Sequence, residues 1–227
     1  MSYFAITSNH PRHVKFLESL YERVDLSLVI IVDKGPILHE EADYFQSDLS
    51  LLYKDNILRC DKEQLHSRFV LQTIEKLNPN VGFVFGAPLL KESLFGIPKF
   101  GCVNIHTGLV DHYRGVDSTY WAIKDARLDL IGSTLHYIDD SIDGGDVIGM
   151  RKVVPTHNDS PETLFYKSCE VGFDLLKSNM HSIINNKVVK FKLDKTGKLY
   201  QNKDMNDEVM SEINNKFPKL LGEYVWK

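Results

Sequence analysis

No stretch of this sequence is apolar for long enough to cross a membrane, because a spanning helix needs about 18 consecutive apolar residues. The opening MSYFAITSNH lacks the basic start and the apolar segment of a signal peptide. The chain has only 3 cysteines, which form no CxxC pair, and this favours reduced thiols over a disulfide framework or a zinc site. These absences predict a cytoplasmic protein with no membrane partner and no metal.

The chain also lacks a surplus of positive charge. Its 27 Lys and Arg residues are outnumbered by 31 Asp and Glu residues, which gives a net charge of −4. A general nucleic-acid binder usually has the opposite balance, so no nucleic-acid partner is expected. A GxGxxG loop, a P-loop, a serine nucleophile elbow and an HExxH helix are also missing. The functions that those motifs carry therefore have no support.

Strand and helix patterns alternate through the first hundred residues. Helical spacing of apolar residues runs from Pro11 to Val24 and recurs over 61–78. Residues 34–60, which Gly35-Pro36 interrupts, are not assigned. The alternation predicts an α/β fold with a doubly wound, mostly parallel sheet, whose ligands bind beyond the carboxyl ends of the strands. The apolar runs typical of buried parallel strands are residues 3–7, 26–33, 81–86 and 103–106.

The second half of the chain predicts a different arrangement, with fewer strands and a long helix. We expect a catalytic domain over 1–187 and a short C-terminal β-hairpin and helix over 188–227. The hairpin would turn at Asp194–Gly197, because Asp and Gly favour turn conformations. The expected elements are a short helix, two strands, a long helix that starts within 158–162, the hairpin and a polar helix, over residues 117–126, 131–138, 146–154, 158–185, 188–200 and 206–216.

Asn104 and His106 stand two residues apart at the end of an apolar run. If the run is a strand, both side chains point to one face. An amide that can hold an oxyanion would then lie beside a group that titrates near neutral pH, as acyl transfer requires. A core Asn and a surface His with satisfied hydrogen bonds explain the same spacing equally well.

Two further segments are candidates for chemistry. Residues 139–146 are rich in Asp and Gly, which by themselves indicate a plain hairpin turn. His10-Pro11-Arg12-His13 follows the first strand, where Ser8 or Asn9 would cap a helix that begins at Pro11. A helix N-terminus with nearby cations attracts a phosphate, although a solvated basic helix face is an equal alternative.

Four segments taken together resemble the folate-dependent formyltransferase family. They match its N-x-H, YRG, GxTxH and DxG motifs in order and spacing over about residues 80–155. Two departures are visible: residues 107–112 replace the usual Ser-Leu-Leu-Pro stretch, and Ser133 stands where Val is common. The matching segments are Asn104-Ile105-His106, Tyr113-Arg114-Gly115, Gly132-Ser133-Thr134-Leu135-His136 and Asp143-Gly144-Gly145-Asp146-Val147-Ile148.

The resemblance implies a Rossmann-like core, N10-formyltetrahydrofolate as co-substrate, and no metal. It assigns the catalytic roles to Asn104, His106 and Asp143, with Asp143 orienting His106 or a bridging water and favouring the cationic form of His106. The residues that it assigns to the pterin are Phe85, Gly86, Ala87, Pro88, Leu90, Ile138, Asp139 and Asp140.

Among family members, the opening and the short tail are most similar to the bacterial nucleotide-sugar N-formyltransferases. That similarity implies transfer to a dTDP- or GDP-linked 4-amino-4,6-dideoxyhexose in the biosynthesis of surface polysaccharide (O-antigen). It also implies a homodimer, with an apolar seam from Phe191, Leu193, Leu199 and Tyr200. The residues expected to bind the sugar and diphosphate are His10, Arg12, His13, Tyr113 and Arg114.

Other functions remain open at this point. Glycinamide ribonucleotide is an alternative acceptor, although a glycine-rich first loop is missing. Methionyl-tRNA is less expected, since the tail is short and the net charge is negative. Hydrolysis of formyltetrahydrofolate and a non-catalytic folate or nucleotide-sugar module are the remaining alternatives.

Overall fold

The computed structural model describes residues 1–34 and 39–225. The chain forms two compact units. The first contains Met1–Ile105, Tyr137–Asp140 and Leu176–Val189. The second contains His106–His136, Ser141–Leu175 and Lys190–Lys227.

Parallel strands build the first unit. They pair in the order β3-β2-β1-β4-β5, and each of the four pairings is parallel. Every residue of β1, β2 and β4 is buried, which explains why these strands are continuous apolar runs. The strands are β1 (Tyr3–Thr7), β2 (Leu28–Val32), β3 (Ile57–Cys60), β4 (Val81–Phe85) and β5 (Cys102–His106), of which His106 belongs to the second unit.

Helices follow these strands along the chain. The residue at the N-cap of α1 is His10, with no capping side chain, so the predicted cap by Ser8 or Asn9 is wrong. In contrast, the Ser67 hydroxyl accepts a hydrogen bond from the Val70 N–H and caps α3. The helices are α1 (Pro11–Tyr21), α2 (His39–Phe45), α3 (Arg68–Lys76) and α4 (Glu92–Phe95).

The previously unassigned stretch 34–60 contributes α2, a 3₁₀ turn at Leu49–Tyr53 and β3. Its Gly35-Pro36 interruption lies outside the described residues. The predicted helix over 61–78 is divided into a 3₁₀ turn at Gln64–His66 and α3.

The second unit combines short strands with the longest helices. Strands β7 and β8 are antiparallel, and their register shifts between Leu135 and His136. The elements are β6 (Tyr113–Gly115), α5 (Ser118–Lys124), β7 (Gly132–Tyr137), β8 (Val147–Lys152), α6 (Pro161–Ile184), β9 (Lys198–Tyr200) and α7 (Asp207–Val225), with Tyr137 and the end of α6 belonging to the first unit.

The C-terminal residues pack into the core of the second unit. The Tyr200 ring stacks on Trp121, with centroids 4.1 Å apart and an interplanar angle of 13°. Helix α7 adds the buried side chains of Ile213, Phe217 and Leu221 to the same cluster. Burial of this apolar surface holds the tail against α5 and β6.

The predicted tail hairpin over 188–200 is wrong. Strand β9 pairs in parallel with β6, and Phe191 forms an isolated antiparallel bridge with Val147. The expected turn fails because the Gly197 N–H donates to Val110 O and the Lys198 N–H to His112 O, so both are bonded to a distant segment.

The predicted fold class is confirmed, because four parallel strand pairings and the flanking helices define a mostly parallel α/β sheet. Within residues 1–34 and 39–225, no helix is both long and apolar enough to cross a membrane.

Candidate active site

Strand β5 carries the two residues on which the sequence argument began. Asn104 is partly exposed and pairs in register with Val84 of β4. His106 ends the strand and is 6% exposed. Alternation along a strand places these two side chains on one face, as the sequence predicts.

The His106 imidazole lies against the Asp143 carboxylate. His106 Nδ1 is 3.3 Å from Asp143 Oδ2, although the two residues are far apart in the sequence. The Asp143 backbone adopts a positive φ of 50°, which is uncommon for a residue other than glycine. The Asp- and Gly-rich segment is thus a turn, and that turn delivers a carboxylate to a buried histidine.

Asp143 has two other polar partners. Its Oδ2 accepts the Gly115 N–H over 2.8 Å, and its Oδ1 lies 3.6 Å from His136 Nε2. Burial opposes ionisation of Asp143, but His106, His136 and the Gly115 N–H outweigh it and hold its pKa well below the usual range. Asp143 is therefore a carboxylate at neutral pH.

The other ring nitrogen of His106 is also occupied. His106 Nε2 lies 3.1 Å from the Tyr113 carbonyl oxygen and 3.2 Å from Ser118 Oγ. Burial lowers the pKa of His106, and the neighbouring Asp143 charge opposes that effect only in part. The lowered pKa favours a neutral ring at pH 7, and the Asp143 carboxylate, which only accepts hydrogen bonds, favours a proton on Nδ1.

Tyr113 and Arg114, predicted to bind substrate, are both held by internal contacts. The buried Tyr113 ring donates its hydroxyl to Asp125 Oδ2 over 3.1 Å. Arg114 donates from Nε to Gly197 O and from NH1 to Ile142 O, over 2.9 and 3.2 Å. Arg114 thereby joins β6 to the turn that carries Asp143.

The predicted phosphate patch at the start of α1 already contains an internal anion. Glu41, which is 1% exposed, accepts the Arg12 backbone N–H and pairs with the Arg12 guanidinium. Pro11 has no N–H, and the His13 N–H donates to His10 O. The first-turn N–H groups on which the phosphate prediction relied are therefore satisfied within the first unit.

His13 is a core residue of the first unit rather than a surface cation. Its Nδ1 contacts Thr7 Oγ1 at 2.8 Å and Phe85 O at 3.2 Å. Burial lowers the pKa of His13 well below its usual value, and the charges of Arg12 and Lys34 lower it further. Gly86 has a φ of +63°, and any side chain there would collide with the His13 ring.

The residues predicted to bind the pterin all lie in the first unit, at the end of β4 and in the segments that follow β4 and β7. Gly86 begins the loop after β4, and Ala87 and Leu90 pack against the apolar cluster of this unit. Ile138 packs on the same cluster and donates its N–H to Cys102 O over 2.8 Å. Asp139 and Asp140 follow Ile138 in sequence, and Phe85 and Pro88 flank the Gly86-Ala87 pair.

Sequence reasoning missed several residues that contact the candidate site residues directly, among them Ser118 and Glu41. Ser118 reaches His106, and Glu41 pairs with Arg12, but neither belongs to a motif. Only the presence of a small hydroxyl residue soon after Tyr113-Arg114-Gly115 gives a local hint of the first. Over the described ranges 1–34 and 39–225, no group of three or more His, Cys, Asp or Glu side chains is arranged to hold a metal ion.

The chain matches a known protein family over most of its length. Residues 23–178 match the formyl transferase family model, which covers more than half of the chain. The chain belongs to the formyl transferase family.

Among relatives found by sequence comparison, the chain is similar to methionyl-tRNA formyltransferases. The chain is 37% identical over 125 residues to the methionyl-tRNA formyltransferase of Lysinibacillus sphaericus, a match that covers 54% of this chain. It spans only 39% of that relative, and 48% of the corresponding enzyme of Caldicellulosiruptor saccharolyticus. The chain thus matches less than half the length of these curated relatives.

Solved structures match over more of the chain. A 4-N formyltransferase from Francisella tularensis has a TM-score of 0.66 at 18% identity, covering 93% of this chain and 86% of its own. The N-formyltransferase of Helicobacter canadensis, in complex with folinic acid and dTDP-3-aminofucose, has a TM-score of 0.62 at 19% identity over 91% and 73%. Phosphoribosylglycinamide formyltransferases also share the fold.

Proposed function

We propose that this protein transfers the formyl group of N10-formyltetrahydrofolate to the amino group of a nucleotide-linked amino sugar. The observation that carries the proposal is the buried His106–Asp143 pair on the β5 end of a formyl transferase fold. The folate and sugar substrates are supported by neighbours such as the Helicobacter canadensis structure with folinic acid and dTDP-3-aminofucose.

The proposed reaction begins when the acceptor amine attacks the formyl carbon. A carbon–nitrogen bond forms, and the carbonyl electron pair moves onto the formyl oxygen. The Asn104 amide, on the same strand face as His106, donates a hydrogen bond to that oxygen. One such donor typically contributes about 10²–10³ in rate, because it stabilises charge that develops only in the transition state.

His106 is the proposed proton carrier. Its neutral ring accepts the proton that the attacking amine loses, and returns a proton to the leaving N10 nitrogen as the carbon–N10 bond breaks. Asp143 stabilises the imidazolium that exists between these two transfers, because its carboxylate lies 3.3 Å from Nδ1. The reaction balances in protons and charge: the products are a formamide and tetrahydrofolate, with no net proton released.

The solved structures that share the fold support a sugar acceptor. The N-formyltransferase of Helicobacter canadensis was solved in complex with dTDP-3-aminofucose, and the fold of the Francisella tularensis 4-N formyltransferase matches over 93% of this chain. We therefore propose a dTDP- or GDP-linked 4-amino-4,6-dideoxyhexose as acceptor, in a cytoplasmic step of surface polysaccharide biosynthesis.

The remaining site assignments belong to the same proposal. The loop 85–90 and residues 138–140 would bind the pterin, since they follow the carboxyl ends of strands in the first unit. Tyr113 and Arg114 would act through the backbone that they fix. For His10, Arg12 and His13 the substrate role stays a prediction, because phosphate binding there requires Glu41 to be displaced from Arg12.

The predicted homodimer also stays a proposal. Phe191 is 45% exposed and Leu193 and Leu199 are partly exposed, so they could contribute to an apolar seam. Tyr200 cannot contribute, because it is buried against Trp121. Light scattering on the wild-type protein and on Phe191→Lys measures the oligomeric state, and an unchanged monomer in both would exclude this seam.

The experiment that tests the function is an acceptor screen. Purified protein is incubated with N10-formyltetrahydrofolate and, separately, with dTDP-, GDP- and UDP-linked amino sugars, glycinamide ribonucleotide and methionyl-tRNA. Mass spectrometry should detect the gain of one carbonyl unit on an amino sugar nucleotide only. His106→Gln, which lacks the proton carrier, should give none.

Each alternative has a distinct outcome in the same screen. Formyl gain on glycinamide ribonucleotide alone would replace the sugar with a purine precursor. Formate release without any amine would identify a hydrolase. Binding of folate with no turnover for any acceptor would identify a non-catalytic module.

A further inference from the structure

We propose that Ser118 is a positioning residue that controls the proton on His106 Nε2. The inference rests on the proposed formyl transfer, in which His106 carries the proton. It adds a residue outside the motifs that mark the family in this sequence. Its basis is the contact of 3.2 Å between Ser118 Oγ and His106 Nε2.

The two nitrogens of His106 meet different kinds of partner. Nδ1 faces the Asp143 carboxylate, which can only accept a hydrogen bond, so Nδ1 keeps its proton whether the ring is neutral or charged. The proton that comes and goes therefore belongs to Nε2. Whatever contacts Nε2 determines which state of the ring is favoured.

The two groups at Nε2 are not equivalent. The Tyr113 carbonyl oxygen only accepts, so it can bond the charged ring but not the neutral one. The Ser118 hydroxyl can donate to unprotonated Nε2 and can accept from protonated Nε2. Of these two groups, Ser118 alone can pair with both states that the proposed reaction requires.

The surroundings restrict Ser118 to this position. It is the first residue of α5 and is 3% exposed. Gly108 packs against both His106 and Ser118. A Cβ at residue 108 would lie 2.5 Å from His106 Nε2 and 2.5 Å from Ser118 Cβ. So close a contact leaves little space for a water molecule to take the place of the hydroxyl.

The direction of the effect follows from these contacts. The titratable and charged groups that act on His106 are Asp143, His136 and Arg114, and a change at Ser118 leaves all of them in place. Replacing Ser118 with Ala removes the hydroxyl that can donate to neutral Nε2, while the charged ring keeps the Tyr113 carbonyl. The pKa of His106 should therefore rise in the variant.

The test is a nitrogen NMR titration of His106 in the full-length protein, with the resonance assigned by its loss in His106→Gln. In Ser118→Ala the midpoint should rise by about 0.5–1 pH unit, which corresponds to the loss of about one hydrogen bond. Ser118→Thr keeps a hydroxyl and should return the midpoint toward wild type. Thr119→Ala is the matched control, because it removes a buried α5 hydroxyl that contacts Ser168 instead.

Turnover supplies a second readout once an acceptor is known. The acidic limb of the kcat/KM profile should move with the NMR midpoint in Ser118→Ala, and kcat should fall about 10-fold or more at neutral pH. A His106 midpoint that is the same in wild type and a folded Ser118→Ala protein would overturn the inference. Because the titration needs no substrate, a failed acceptor screen would count against the proposed function and not against Ser118.

Discussion

The Gly115 backbone N–H donates to Asp143 Oδ2 over 2.8 Å, and that oxygen also faces His106. Gly115 can hold this geometry because it adopts a φ of +85° and passes against Tyr200, whose carbonyl oxygen would lie 2.0 Å from any Cβ at this position. The contact therefore links a C-terminal strand to the carboxylate that orients the histidine.

Gly115→Ala should lower the free energy of unfolding by about 2 kcal/mol or more, because it combines a strained backbone with a collision. Urea denaturation measures this, and formyl transfer should fall in parallel. Gly222→Ala in α7 is the control. Its added Cβ meets nothing within 4 Å, and it should stabilise the protein by up to about 1 kcal/mol.

Asp143→Asn should lower formyl transfer by about 10²–10⁴-fold, because the imidazolium loses the adjacent negative charge. The pKa of His106 should fall further, since Asp143 is the group that raises it most. Steady-state kinetics and the His106 titration measure the two effects. Asp146→Asn removes a carboxylate that pairs with Lys190 at 3.0 Å, and it should keep most of the activity.

Asn104→Ala should lower kcat by about 10²–10³-fold with little change in KM, because the lost donor acts on charge that develops in the transition state. The His106 midpoint should stay where it is in wild type. A variant that loses affinity for folate but keeps kcat would instead give Asn104 a role in binding.

Stability should decline below pH 6.5 because His13 is buried in the neutral form. Its folded pKa lies well below the unfolded value, so the unfolded chain takes up a proton that the folded chain excludes. This contribution is complete above about pH 6.5 and is lost as the pH falls toward the folded pKa, at up to about 1.4 kcal/mol per pH unit. Urea denaturation at several pH values measures the slope.

His13→Gln should reduce the pH dependence of the unfolding free energy by the contribution of one titrating group. The lowered pKa of His106 makes a contribution of the same kind, which remains in this variant. His157→Gln, on an exposed turn, is the matched control for the loss of a histidine side chain. Equal slopes in wild type and His13→Gln would contradict this role of His13.

Arg12→Gln should cost about 2–3 kcal/mol in the free energy of unfolding, because it leaves the buried Glu41 carboxylate without its cation. Arg59→Gln breaks an exposed pair with Asp33 and should cost less than about 1 kcal/mol. If Arg12 also binds the acceptor's phosphates, its variant should raise KM for the nucleotide sugar. An unchanged KM would assign Arg12 a structural role only.

Local sequence patterns account for much of the fold. The apolar runs of β1 and β2 can be predicted from composition alone, because strands that are buried on both faces show no alternation of polar and apolar residues. The segment 158–162 likewise predicts a helix start, and α6 begins within it at Pro161. The motifs that resemble the formyltransferase family also predicted that His106 and Asp143 act together. In the structure, His106 Nδ1 and Asp143 Oδ2 lie 3.3 Å apart.

What could not be predicted depends on contacts between distant segments. The tail looked like a hairpin because its turn residues are local, but β9 pairs with β6 and no local pattern encodes that partner. Ser118 and Glu41 were missed for the same reason, since each matters only through a residue that folding brings beside it. The sequence at the start of α1 predicts an anion site, but the Glu41 carboxylate of the same unit already pairs with Arg12 there.

The pairing of β9 with β6 also fixes when the site can form. Arg114 donates to Gly197, 83 residues further along the chain, and Gly115 pairs in register with Tyr200. Contacts of such long sequence separation form late, after the loop between them has closed. During synthesis, β6 therefore cannot pair with β9 until residue 200 has left the ribosome. A mutation that weakens β9 should accordingly slow the appearance of activity during refolding more than it slows the appearance of helical structure.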